Sequence, residues 1–85
     1  MITLEMIKAE IAILEKMLRN QEYIISKLES EIERFEQTYI IANLNDELWN
    51  AYNEKWETLK AHKAQADIKE RRIYALKELA DTYRE

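Results

Sequence analysis

LEMIKAEIAILEKMLRNQEYIISKLESEIERFEQTYIIA, residues 4–42, decides the fold. Counting in sevens from Leu4 gives Leu4, Ile11, Leu18, Ile25, Ile32 and Tyr39. Three residues after each come Ile7, Leu14, Gln21, Leu28, Phe35 and Ala42. Eleven of these twelve positions are apolar or aromatic, and Gln21 is the exception. Spacing that alternates three and four draws one continuous stripe along a helix, the a/d seam of a coiled coil. Such a stripe has to be covered by another helix.

The seam frame fails after Ala42, where the same count lands on Asp46, Asn53, Lys60 and Asp67. The chain therefore reads as two helices, about 3–42 and 46–84, rather than one. Thr3 is the expected N-cap of the first, with Glu5 in its first turn. Asn43 is expected in the left-handed position that glycine usually fills after a helix. Asn45 is expected to cap the second helix, ahead of Asp46 and Glu47. So short a connection makes the helices antiparallel neighbours. The whole chain, 1–85, reads as a single all-α hairpin domain. The absence of any Gly or Pro agrees, since both residues disfavour helix interiors.

The second helix begins with Leu48, Trp49, Tyr52, Trp56 and Leu59 and ends with Ile73, Leu76, Ala80 and Tyr83. Its middle, Lys60 to Arg72, is weaker, with alanines and Ile68 as its apolar groups. A hairpin folded about Leu44 pairs residue i roughly with 88 − i. This brings Phe35 and Tyr39 to Trp49, Tyr52 and Trp56, an aromatic cluster beside the turn. It places Gln21 opposite Asp67, and it faces the large side chains around Ile25 with small ones. The two ends are expected to carry most of the stability, and the waist is the first place to look for a partner.

One facing helix cannot cover everything. Met6, Ile13, Met17, Ile24, Ile40 and Ile41 lie beside the first seam. Fully burying such a side chain is worth roughly 1.5–3 kcal/mol. We therefore expect self-association, a homodimer forming a four-helix bundle or antiparallel coiled coil, or a complex with another helical protein. The packing seam comprises Leu4, Ile7, Ile11, Leu14, Leu18, Ile25, Leu28, Ile32, Phe35 and Tyr39 on the first helix. On the second it comprises Trp49, Tyr52, Trp56, Leu59, Ile73, Leu76 and Tyr83. Core packing is the simplest role for the tryptophans; exposure of either would make it a partner-binding anchor.

No catalytic set appears, and no enzyme activity, cofactor or metal site is expected. His62 is the only histidine, with no Glu-x-x-His pair of the di-iron kind near it. Ser26 and Ser30 sit mid-helix with no acid–base partner. Glu29, Glu31, Glu33 and Glu36 spread over more than one helix face and read as solvated surface. Lys60, Lys63, Lys69, Arg71 and Arg72 form a basic segment that two copies could present to RNA. The net charge of −4, from 17 acidic and 13 basic side chains, argues against that second reading. No uncharged run is long enough to cross a bilayer. The expectation is a cytoplasmic protein without membrane contact, with secretion lacking a cleaved signal left open.

Tyr74-Ala75-Leu76-Lys77-Glu78 matches a Tyr-x-x-x-Asp/Glu motif, and Trp49-Asn50-Ala51 stands where a Trp-x-Gly would be wanted. With its size and acidic balance, the chain resembles the small WXG-type proteins exported by type VII secretion. That resemblance implies a secreted helical hairpin. The chain departs from the family pattern in lacking the glycine and in placing the Trp after the turn. The function expected from the residues themselves is a non-enzymatic interaction module that binds or blocks a protein partner, as a small adaptor, inhibitor or antitoxin-like accessory protein does.

Overall fold

The structure, a computed structural model, describes residues 1–83. It consists of α1 (Leu4–Thr38), one 3-10 turn (Ile41–Asn43) and α2 (Asp46–Thr82). The two long helices pack as an antiparallel hairpin, with no strand among the described residues. Its Cα atoms span 63 × 16 × 14 Å, with a radius of gyration of 18.8 Å. A globule of this length would have a radius near 12 Å. A rod only two helices thick leaves few positions with neighbours all round. Among the described residues only Ile7, Ile32, Leu59, Ala66, Ile73 and Leu76 are buried.

Both expected caps form. Thr3 Oγ1 accepts a hydrogen bond from the Met6 N–H at 3.2 Å. Asn45 Oδ1 accepts one from the Leu48 N–H at 2.8 Å. Each satisfies a backbone donor that the first helical turn leaves without a partner. Tyr83 Oη donates to the Ile2 carbonyl at 3.3 Å and ties the open ends together.

The turn differs from the sequence expectation in two respects. First, α1 stops at Thr38 rather than near Ala42, because Tyr39 is extended (φ −120°, ψ 146°). Thr38, Tyr39, Ile40 and Ile41 are β-branched or aromatic, and such residues lose rotamer freedom against the preceding helical turn. Second, Asn43 is not left-handed, and no described residue has positive φ. The chain instead winds once as a 3-10 turn, with the Asn43 N–H on the Ile40 carbonyl (2.9 Å) and the Leu44 N–H on the Ile41 carbonyl (3.4 Å). The expected end of the second helix at residue 84 lies outside the described residues.

The aromatic cluster forms beside this turn. Phe35 lies 4.7 Å from Tyr39 and 5.2 Å from Tyr52 between ring centroids. Tyr52 lies 6.0 Å from Trp49 and 6.4 Å, edge-on, from Trp56. Offset and edge contacts at these distances are the favoured aromatic geometries.

Candidate functional site

The α1 stripe faces α2 from Leu4 to Phe35, and its last two members, Tyr39 and Ala42, lie exposed beyond the helix. Ile7 and Ile32 are buried, and Leu4, Ile11, Leu14, Leu18, Ile25, Leu28 and Phe35 are half-buried. On α2, Leu59, Ile73 and Leu76 are buried and Tyr52 is half-buried. Tyr39 and Tyr83 are exposed at the two ends. Trp49 and Trp56, grouped above with the packing seam, flank the Leu48–Tyr52–Leu59 line at 44% and 38% exposed.

The inward line of α2 runs Leu48, Tyr52, Lys55, Leu59, His62, Ala66, Lys69, Ile73, Leu76 and Ala80. Its steps alternate four and three throughout. The second helix therefore has an unbroken heptad frame of its own, with Lys55, His62 and Lys69 as polar members. Sequence reasoning treated this middle as weak because it looked for apolar residues. The signal was the spacing, and a lysine can hold a seam position by burying its stem and lifting its ammonium outward.

Two of these polar members meet Gln21. Lys69 Nζ donates to Gln21 Oε1 at 2.7 Å, and Gln21 Nε2 lies 3.2 Å from His62 Nδ1. The ammonium occupies the amide oxygen, so the amide nitrogen is left to face Nδ1. The expected Gln21–Asp67 pairing does not form, and Asp67 instead pairs with Arg71 one turn along α2 at 3.1 Å. The longer histidine and lysine side chains reach Gln21 from one turn before and half a turn after Asp67. The waist is thus a hydrogen-bonded polar layer, and no buried side-chain polar atom among the described residues lacks a partner.

Lettering each heptad abcdefg, with Leu4 and Tyr52 as a positions, sorts the remaining surface into two broad sides. On one side, e meets e across the hairpin: Lys63 with Glu29 and Lys77 with Glu15, both at 3.2 Å. The neighbouring b positions add Glu5, Arg19, Glu33, Lys60, Asp67 and Asp81, so this side is charged. Trp49 and Trp56 stand on it beside the turn. The shallow groove over the waist on this side is lined by Glu22, Glu29, Lys63, Asp67 and Glu70 around Ile25 and Ala66. On the other side, g meets g, and Arg72 binds Glu10 Oε1 through Nη2 at 2.9 Å and Nε at 3.2 Å. Around that pair the c and g positions hold Met6, Ile13, Met17, Ile24, Ile68 and Leu79. These are between 39% and 61% exposed. Large exposed apolar side chains gathered on one side in this way mark association sites.

The five basic residues are not brought together. Lys60 and Lys63 lie on the charged side, and Lys63 is paired with Glu29. Lys69 points into the waist, Arg71 faces outward on Asp67, and Arg72 lies on the apolar side against Glu10. Trp49 lies in the first turn of α2 and not in the interhelical turn. Among the described residues no helix is long and apolar enough to cross a membrane, and no group of three acidic, histidine or cysteine side chains is placed to hold a metal ion. No protein-family model, curated protein or solved structure matches the chain.

Proposed function

We propose that this protein is a helical interaction module that works by association rather than by catalysis. One observation carries the reading. The hairpin satisfies its a/d seam internally and still leaves six large apolar side chains on a single side. An isolated rod gains nothing from that arrangement, whereas a second helical layer covers it in the manner of a four-helix bundle. The only histidine is taken up by Gln21 in the polar waist, which fits a packing role. Trp49 and Trp56, on the charged side near the turn, are the anchors this reading leaves for a protein that the module holds or blocks.

Sedimentation velocity over a concentration series tests the reading. The expected result is a folded, helical species larger than 10.3 kDa at micromolar concentration. A well-folded monomer across that range would overturn it.

A further inference from the structure

The apolar side carries a symmetry that names its occupant. Along α1 the c and g positions from residue 6 to 24 read Met6, Glu10, Ile13, Met17, Asn20, Ile24. Reversed end for end, Met6 meets Ile24, Ile13 meets Met17 and Glu10 meets Asn20. Apolar residues fall on apolar ones, and the carboxylate falls on a carboxamide whose N–H groups can donate to it. Along α2 the same positions from 65 to 82 read Gln65, Ile68, Arg72, Ala75, Leu79, Thr82. Reversed, Ile68 meets Leu79, Gln65 meets Thr82, and Arg72, already held by Glu10, meets Ala75. The α1 pattern is centred at residue 15 and the α2 pattern between residues 73 and 74. The hairpin places those points side by side, since Glu15 pairs with Lys77 and Glu10 with Arg72. Heptad spacing gives every helix such centres each half heptad, but only at residue 15 do all four apolar members of α1 fall on one another, and the midpoint of Ile68 and Leu79 lies beside it.

We infer that this side binds a second copy of the chain, reversed end for end about the level of residue 15, with α1 on α1 and α2 on α2. The inference rests on the self-association reading and adds the face, the partner and the direction. A two-fold axis through that level makes the contact isologous, the commonest closed symmetry. Beyond Ile24 the same side of α1 continues with Lys27, Glu31 and Arg34, and α2 before Ala61 carries Glu54 and Thr58. A copy stacked in the same direction would bury those polar groups. The reversed copy covers only the apolar half and leaves both turn halves in water, pointing opposite ways. Residues 6–24 span about 27 Å of helix. That is nearly half the 63 Å length, and on one of the four long sides of a 6800 Å² molecule it amounts to roughly 700 Å². Stable complexes bury about 800 Å² per partner.

The chain has no cysteine, so single cysteines report cleanly. In the full chain, Met6→Cys mixed with Ile24→Cys should cross-link with a short bismaleimide, while neither variant cross-links alone. Ile13→Glu should raise the dimer dissociation constant at least tenfold with helical circular dichroism retained, because Ile13 is exposed in the single hairpin. Tyr74→Glu, on the charged side, should leave dimerisation unchanged. A dimer that survives Ile13→Glu, or is lost on Tyr74→Glu, overturns the face and leaves self-association standing. Cross-linking of Met6→Cys alone, or none in the mixture, overturns the direction. A wild-type monomer overturns both.

Discussion

Leu59→Ala tests whether the hairpin seam supplies the stability of the fold. Leu59 is 2% exposed and lies with Ile32, itself 3% exposed, in the half of the rod near the turn. Leu→Ala in a core costs about 2–5 kcal/mol, through lost transfer free energy and through the cavity left behind. The seam here has neighbours on only part of its circumference, so water and adjacent side chains can enter the space and the lower half of that range applies. Alanine returns a few tenths of a kcal/mol through its helix propensity. The expected loss is about 2.5 kcal/mol, which for a domain of this size lowers Tm by roughly 10–20 °C. Thermal and urea unfolding followed by circular dichroism, at a concentration where the chain is monomeric, measures it. Ile68→Ala, at 57% exposure outside the seam, is the control and should cost less than about 0.5 kcal/mol there. A Leu59→Ala loss below about 1 kcal/mol, or one no larger than the control, would refute the placement of stability in the a/d contacts.

Ala66→Leu forces a large side chain into the buried waist and should cost about 1–3 kcal/mol in urea unfolding, since the helices must separate to admit it. Asn45→Ala removes the acceptor for the Leu48 N–H and should cost about 1 kcal/mol, whereas Asn45→Asp should retain the cap. Tyr52 donates its phenol to Glu36 Oε2 at 2.6 Å, and that hydrogen bond raises its pKa above the ordinary 10.0. Its ultraviolet titration should therefore fall above that of free tyrosine and return toward it in Glu36→Gln. Because the folded-state value is the higher, the contact's contribution is complete below pH 10 and is lost as pH rises through the folded value.

Much of this protein was legible in one dimension. The α1 stripe, both caps and the missing glycine and proline dictate two long helices, because periodicity and capping act within a few residues of chain. The aromatic cluster also followed, since a hairpin hinge near Leu44 sets Phe35 and Tyr39 across from Tyr52. The turn did not follow. Asn43 suits a left-handed position, but the run Thr38–Ile41 ended the helix first, and the backbone settled its hydrogen bonds in a 3-10 turn. Nor was the seam of α2 evident, because Lys55, His62 and Lys69 do not look like core when read singly. They take seam positions because Gln21 supplies polar partners for two of them and because lysine stems can lie along apolar surface.

The sequence by itself determined that surplus apolar residues would lie beside the seam: Met6, Ile13, Met17 and Ile24 can be read directly. Tertiary structure alone decided that they share one broad side with Ile68 and Leu79, opposite Trp49 and Trp56. Which flank of α1 meets which flank of α2 depends on antiparallel register, and the ion pairs Glu10–Arg72 and Glu29–Lys63 mark the two sides. A helix wheel gives each helix its faces, but only packing joins two faces into one surface.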